Sequence, residues 1–283
     1  MLLPYLRQQL AKGETHLAVT PQARKILRKI YQGEITFGEK PPKPTEHQPL
    51  IPRPSSSEER KTLLNIPKPT PQGNTPDEQL ASLRDLAEHW TPFRDLGSFR
   101  KTLVFSAGPT NAELMLVGDT PGYHEENKRE PFAGPAGEKL TAILKAMGLT
   151  REQVYLTNLC KFRPALPGQT RNNRPARPEE IQLSRPFVLA EIDIVRPKAI
   201  IALGSAAAQG LLESKENFDQ LRPQWHQISQ IPTRISHHPS FLLLDDKDAL
   251  AEKRKIWEDM LVVMEKLDLT ISEKQKKFFL PKT

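Results

Sequence analysis

The sequence predicts an α/β protein: a three-layer α/β/α sandwich with a central four-stranded parallel sheet. Short apolar runs alternate with longer segments of helical periodicity, which is typical of parallel strands joined by crossover helices. Two of the runs, Leu114–Val117 and Ala199–Leu203, are apolar at every position, as strands covered on both faces are. These observations place the sandwich at about residues 77–268.

Local signals along the chain predict the elements of the sandwich. Thr75 is a good N-cap and Pro76 suits a first turn, so we expect a helix to begin there and to run to about Trp90. The predicted strands are 113–117, 153–157, 198–203 and 232–236. The predicted helices between and after them are 136–147, 178–195, 205–212 and 248–266. Glycines at 118, 148 and 204 end three of these elements.

A helical and disordered N-terminal extension is predicted to precede the sandwich. Residues 1–38 form a short helical segment, and the basic face of its helix over 21–32 either contacts DNA or a partner, or is merely solvated. Residues 39–76 read as a proline-rich linker, because ten prolines stand between positions 41 and 76. The sandwich then covers 77–268, and a basic tail covers 269–283. A protein partner is expected to bind through residues 1–75.

Charge and cysteine content narrow the function classes. The 41 Lys and Arg residues against 34 Asp and Glu residues give a net charge of +7, which favours polyanionic partners such as nucleic acid, although solubility alone also accounts for it. The one cysteine, Cys160, excludes an intramolecular disulfide and fits a reducing compartment. No apolar run is long enough to span a bilayer, so no membrane contact is expected. We therefore expect a cytoplasmic protein and, by default, a monomer.

Polar side chains gather where the predicted strands end, which is where parallel sheets bind ligands. The segments are Gly118-Asp119-Thr120, Asn158 with Lys161 and Arg163, Gly204-Ser205, His238-Pro239-Ser240, and a loop that contains Phe132. Each segment alone is typical of a turn or a cap. Together they bring a carboxylate, an amide, an imidazole and an aromatic ring to one rim, which suits a flat, neutral, polar ring. No metal-ligand spacing and no phosphate-binding glycine loop accompanies them, so no metal site is predicted.

The order and spacing of these segments resemble the uracil-DNA glycosylase superfamily, and most of all its family 4 type from bacteria and archaea. The similarity extends over about residues 90–266. It rests on residues 113–122, 131–137, 154–158 with Lys161 and Arg163-Pro164, 196–198 leading into 202–204, and 238–240.

The resemblance implies catalytic roles for two side chains and substrate-binding roles for two more. Asp119 would position the attacking water or stabilise the sugar cation, and His238 would support the negative charge on the departing uracil. Phe132 would stack on the flipped base. Asn158 would hydrogen-bond the uracil edge and reject cytosine.

The resemblance also implies binding roles for the neighbouring residues. Gly118 and the backbone amides near Thr120 would line the base pocket. Ser240 would contact a DNA phosphate, and we expect Lys161 and Arg163 to lie on the rim that faces DNA.

The sequence departs from the family 4 pattern at two places. Family 4 enzymes bind an iron–sulfur cluster through four cysteines, whereas the matching positions here are Thr91, Arg94, Phe162 and Ser184. The expectation from this departure is a protein with no cofactor. The second departure is Asp119 in place of a glutamate, which withdraws the carboxylate by about one bond and makes weak or altered activity an open alternative.

The leading hypothesis is a monofunctional DNA glycosylase that hydrolyses the N-glycosidic bond of uracil, or of a related deaminated base, in base-excision repair. The alternative is a catalytically weak or inactive protein of the same fold that acts as a nucleic-acid-binding adaptor. A third alternative is the hydrolysis of another nucleoside-like substrate.

Overall fold

A computed structural model describes residues 66–243 and 249–280 of the chain. The predictions for the helical segment 1–38 and for most of the linker therefore lie outside the described residues. No helix of the described part is long and apolar enough to cross a membrane.

The strands form one six-stranded sheet and one separate two-stranded ribbon. The strands are β1 (Phe99–Leu103), β2 (Ser106–Ala107), β3 (Leu114–Gly118), β4 (Tyr155–Asn158), β5 (Phe162–Pro164), β6 (Ala199–Leu203), β7 (Trp225–Ile228) and β8 (Ile231–Ser236). The sheet order is β2-β4-β3-β6-β8-β7, and β4, β3, β6 and β8 run parallel. The ribbon pairs β1 with β5 in antiparallel fashion.

The four parallel strands confirm the predicted sheet, but the prediction missed both edges. β2 pairs antiparallel with β4, and β7 pairs antiparallel with β8. β2 has only two residues. In β7 the first and third residues are exposed, and only Ile228 at its end is buried. Neither edge strand carries the continuous apolar run that marks a strand covered on both faces, which is why the sequence pattern did not reveal them.

Nine α-helices lie in the described part of the chain: five are close to their predicted bounds, and four short ones were not predicted. They are α1 (Pro76–His89), α2 (Thr91–Asp95), α3 (Tyr123–Lys128), α4 (Pro135–Met147), α5 (Pro178–Val195), α6 (Ser205–Leu212), α7 (Phe218–Leu221), α8 (Ala249–Lys266) and α9 (Glu273–Lys276). Short 3₁₀ helices cover Arg151–Gln153 and Pro239–Leu243. Thr75 caps α1 in a capping box with Glu78, and Gly148 ends α4 in the left-handed conformation, as predicted.

Two hydrophobic cores confirm the three layers. Successive residues of a strand point to opposite faces of a sheet, so Met115 and Leu116 of β3 enter different cores. One core joins the strands to α5, α6 and α7, and the other joins them to α4 and α8. β3 and β6 are buried at every position, so both faces of the sheet are covered up to the point where its polar loops begin.

The described part of the predicted basic tail, residues 269–280, packs against the sandwich. Helix α9 lies within it, and the Trp257 indole Nε1 of α8 donates to the Gln275 carbonyl oxygen at 2.6 Å. The Gln275 side chain in turn donates to the Ala146 carbonyl oxygen at 2.8 Å. These contacts fasten the segment to the layer formed by α4 and α8.

Candidate active site

The candidate site lies at the carboxyl ends of β3 and β4, and Gly118 is at its centre. Gly118 pairs with Asn158 in the parallel register of these strands. A Cβ atom at Gly118 would collide with the Asn158 Oδ1 atom and would lie 2.8 Å from the Phe132 Cζ atom. The Asn158 amide and the Phe132 ring therefore meet above this glycine, and no larger residue fits beneath them.

Phe132 is held in a strained conformation by its own loop. Its φ of 55° lies in the left-handed region, which is unfavourable for an aromatic residue, and its side chain is buried. Arg151 fixes the loop from outside: one guanidinium nitrogen donates to the Phe132 carbonyl oxygen at 3.3 Å and the other to the Pro131 carbonyl oxygen at 3.0 Å. A Cβ at Gly137 would overlap the Phe132 carbonyl, so the close approach of these backbones also requires a glycine.

The His238 side chain lies against Phe132. The two rings are 6.0 Å apart between centroids and inclined by 28°, a stacked arrangement. The Ser240 backbone N–H donates to His238 Nδ1 at 3.2 Å, and the Ser240 hydroxyl lies 2.8 Å from the same nitrogen. Because Nδ1 accepts this N–H, the neutral ring carries its proton on Nε2.

His237, the neighbour of His238, plays a different part. Its ring packs against Phe218 and Phe241, at centroid distances of 4.7 and 4.9 Å. Burial lowers the pKa of His237 to about 4, and the positive charges of Arg222 and Lys255 lower it further. His237 is therefore neutral near pH 7 and anchors the loop that carries His238.

Asp119 follows β3 directly and is half-buried. Its Oδ1 atom accepts from the Thr120 backbone N–H at 2.7 Å, and its carbonyl oxygen accepts from the Cys160 N–H at 2.9 Å. Among the described residues, Oδ2 has no hydrogen-bond partner, so one carboxylate oxygen is available to a ligand or to water.

Glu125 is a site residue that the sequence reasoning missed. Its Oε2 atom accepts from the Gly122 N–H at 3.1 Å, and its Oε1 atom accepts from the Gly134 N–H at 3.2 Å. One carboxylate thus joins the loop after β3 to the loop that carries Phe132. The available signal was a glutamate three residues after Gly122 at the start of α3, which is the spacing of a capping box.

The structure places Lys161 and Arg163 in the interior, away from the rim where they were expected to meet DNA. Their exposures are 0% and 1%. Arg163 donates to Glu126, to Asn173 and to two carbonyl oxygens of the loop that follows, so its guanidinium is occupied by protein groups. A DNA phosphate could reach either side chain only by replacing contacts of this kind. We therefore no longer expect Lys161 and Arg163 to bind DNA.

The structure thus brings Asn158 and Phe132 together above Gly118 and stacks His238 against Phe132, with Asp119 and Thr120 at the same strand end as Gly118. Ser240 contacts His238 and is half-buried. The fold and the site together define a class of protein: an α/β/α sandwich with a polar ligand site at the carboxyl ends of its parallel strands.

Comparison with known proteins then identifies the family. The family model described as "Uracil DNA glycosylase superfamily" matches residues 105–261, which is more than half of the chain. The protein belongs to the uracil-DNA glycosylase superfamily.

Several curated relatives are named type-4 uracil-DNA glycosylase. The one from Thermotoga maritima is 34% identical over 166 residues, which are 57% of this chain and 81% of the relative. The one from Pyrobaculum aerophilum is 33% identical over 156 residues, 52% of this chain and 76% of the relative. The one from Archaeoglobus fulgidus is 40% identical over 115 residues, 41% of this chain, and there the match spans only 55% of the relative's length.

The comparisons contradict the prediction that the protein has no cofactor. These relatives belong to a class that carries an iron–sulfur cluster, so the absence of a cofactor does not follow from the family. The prediction, which rested on the departure from the cysteine pattern, was wrong.

The four positions that match the cluster cysteines do not fit such a cluster. Thr91 and Arg94 are exposed, while Phe162 and Ser184 are buried, and none supplies a thiolate. The Phe162 ring packs against Phe93 at 5.2 Å between centroids. No group of three or more metal-ligating side chains occurs among the described residues. We therefore derive no step of the chemistry through a cluster.

Proposed function

We propose that the protein is a monofunctional DNA glycosylase that hydrolyses the N-glycosidic bond of uracil, or of a related deaminated base, in base-excision repair. The observation that carries the proposal is the meeting of the Asn158 amide and the Phe132 ring above Gly118, with His238 stacked beyond them. Membership of the superfamily and the names of the relatives support it.

Base recognition depends on the Asn158 amide. A primary amide presents one acceptor and one donor, which match the N3–H donor and the O4 acceptor of uracil. Cytosine presents the reverse pair on the same edge, so an amide of fixed orientation rejects it. Phe132 supplies the ring face on which the base stacks once it has left the helix, and this extrusion costs a few kcal/mol.

His238 assists the departure of the base. When the bond between C1′ and N1 breaks, its electron pair goes to the base and the charge spreads to O2. The His238 Nε2–H can donate a hydrogen bond to that oxygen while His238 keeps its proton, and the Ser240 N–H holds the tautomer that makes this hydrogen bond available. A donor aimed at charge that develops in the transition state contributes about 3 to 4 kcal/mol.

Asp119 acts on the other side of the sugar. Its Oδ2 atom orients a water molecule toward C1′ and stabilises the positive charge that develops there, while Oδ1 is held by the Thr120 N–H. The water oxygen bonds to C1′, its surplus proton is released, and the base leaves as an anion that is protonated in solution. The products are the free base and an abasic site in DNA.

DNA is the proposed partner, and a cytoplasmic monomer the proposed form. We assign the phosphate contacts to Ser240 and to exposed arginines such as Arg171, whose guanidinium lies 5.6 Å from the Tyr123 ring centroid. Contacts of this kind make binding fall steeply as salt rises. Residues 1–75 remain the proposed region for a protein partner.

The test is cleavage of an oligonucleotide with a single uracil, followed by alkali to break the abasic site. Asp119→Asn and His238→Ala should lower the single-turnover rate, the latter about 100- to 1,000-fold. Asp193→Asn and His89→Ala, which change exposed residues outside the site, are the matched controls. A wild-type protein that yields no alkali-labile product with uracil in single- or double-stranded DNA refutes the proposal.

One observation favours the adaptor as the second candidate. The carboxylate of Asp119 is shorter than the glutamate of the family pattern and is bent back onto the adjacent Thr120 N–H. Tight and uracil-selective binding without product would support the adaptor. Product formation that depends on Asp119 would support the enzyme.

A further inference from the structure

A buried ion pair lies directly beneath the strand that ends in Asn158. The Lys161 Nζ atom is 2.5 Å from the Glu191 Oε2 atom, and both side chains are 0% exposed. Glu191 belongs to α5, so the pair connects the sheet to the helix layer behind it. Removing two charges from water costs several kcal/mol for each ion, so a pair at this depth requires further hydrogen bonds to be tolerated.

Those further hydrogen bonds go to the end of β4. Lys161 Nζ donates to the Thr157 hydroxyl at 2.6 Å and to the Asn158 carbonyl oxygen at 3.0 Å. Together with Glu191, these acceptors use all three donors of the ammonium group. Glu191 also accepts from the Tyr155 hydroxyl at 3.2 Å, and its Oε2 atom is 3.0 Å from the Thr157 hydroxyl.

The contact with the Asn158 carbonyl fixes the backbone where regular pairing stops. After Asn158, the chain leaves the strand through Leu159 and Cys160, whose N–H groups donate to the carbonyl oxygens of Gly118 and Asp119. The Asn158 side chain makes no hydrogen bond within the described part of the chain, so its position depends on its backbone and on its packing above Gly118. The Leu159 N–H and Lys161 hold the two sides of one peptide group, the N–H through Gly118 and the Asn158 carbonyl through the ammonium group, so Lys161 supports the backbone that carries the recognition amide.

We propose that Lys161 and Glu191 are positioning residues for Asn158: the ammonium group holds the Asn158 carbonyl, and Glu191 holds the ammonium group. This inference rests on the proposed function and deepens it, since it explains how the amide keeps the orientation that separates uracil from cytosine. Positioning Asn158 is also a role that Lys161 can have without reaching solvent or DNA, since it is completely buried.

A second buried ion pair on the same helix provides a matched control. Glu180 of α5 is 0% exposed and is paired with Arg174 at 2.5 Å, as Glu191 is with Lys161. The Arg174 guanidinium donates to carbonyl oxygens of Ser98, Ala165 and Pro175, and within the described part of the chain it makes no hydrogen bond to Asn158. Removing one partner of either pair should weaken folding, but only a change in the Lys161 pair should disturb recognition of the base.

The main test uses the full chain with the double substitution Lys161→Met and Glu191→Leu. Replacing both charges with apolar groups of similar volume leaves no unpaired ion, so the variant should fold about as stably as the wild type. It lacks the donor to the Asn158 carbonyl. A misplacement of about 1 Å can cost about 100-fold in rate, so we expect the single-turnover release of uracil to fall about 10- to 100-fold.

Two binding measurements separate positioning from general damage. Inhibition by free uracil reports on the base pocket and should weaken by a similar factor in the double variant. Affinity for an oligonucleotide without uracil reports on phosphate contacts and should stay unchanged. Glu180→Gln should lower Tm but keep both the rate and the uracil inhibition.

The outcomes are distinguishable. A folded double variant with wild-type rate and wild-type uracil inhibition overturns the proposal, and so does an equal loss of rate in Glu180→Gln. If the wild type releases no uracil, the proposed function fails, and the positioning role is then read from the NMR signals of the Asn158 side-chain amide. A shift in the double variant and none in Glu180→Gln supports positioning, whereas unchanged signals in both overturn it.

Discussion

Gly118→Ala is the most direct test of the site geometry. The added methyl group would lie 2.8 Å from the Phe132 Cζ atom, whereas ordinary contacts begin at 3.4 Å, so the ring must withdraw by about 3.4 − 2.8 = 0.6 Å. The Asn158 Oδ1 atom is closer still and must move further. Alanine is compatible with the backbone here, because Gly118 does not lie in the left-handed region.

The expected result is a folded protein with an obstructed pocket. Overpacking of this kind costs about 1 to 3 kcal/mol of stability. The Asn158 amide and the Phe132 ring would both be displaced by a large fraction of 1 Å. This displacement should lower the rate of uracil release about 100-fold. Single-turnover cleavage measures the rate, and urea unfolding measures the free energy of unfolding.

The control is Gly148→Ala at the end of α4. Its φ of 83° disfavours alanine, but open space surrounds the position, so the variant should lose about 1 kcal/mol of stability and keep its rate. If Gly118→Ala releases uracil as fast as the wild type, the close meeting of Asn158 and Phe132 is not what recognises the base.

Three further predictions concern the groups around the site. Arg151→Met removes both donors to the Phe132 loop and should lower the rate about tenfold and the free energy of unfolding by about 1 to 3 kcal/mol. Complete burial raises the pKa of the Cys160 thiol, so the native protein should resist iodoacetamide at pH 8, as measured by mass spectrometry, and should react once unfolded. Since the pKa of His237 is lowered to about 4 from 6.5, the unfolded chain binds the extra proton between these values, and stability should fall as pH falls from about 6.5 to 4, by at most about 3 kcal/mol. His237→Phe should flatten this part of a curve of unfolding free energy against pH.

For each of these three predictions, one result would contradict the reasoning. Arg254→Met changes an arginine whose hydrogen bonds within residues 66–243 and 249–280 go to the C-terminal segment and Glu258, and equal rate losses in both arginine variants would contradict the role given to Arg151. Rapid alkylation of native Cys160 would show that its pocket opens readily. A pH dependence that is the same in wild type and His237→Phe would assign the titration to other groups.

The sequence by itself determined the layers and the position of the site. The unbroken apolar runs of β3 and β6 can be satisfied only between two layers of helices, so the parallel sheet follows from local pattern. Polar residues placed directly after such strands must gather at one edge, so the sequence alone predicts that Asp119 and Asn158 lie at the site.

Only the tertiary structure shows the antiparallel edge strands and the burial of the basic residues Lys161 and Arg163. Lys161 and Arg163 follow Asn158 and have the composition of a surface loop, yet both are enclosed because carboxylates from α5 and α3 reach them. Nothing local to the sequence pairs Lys161 with Glu191, thirty residues away, or Phe132 with His238. Such contacts arise from the way helices and loops pack across the sheet, and burial then determines whether a charge meets solvent or a partner inside the protein.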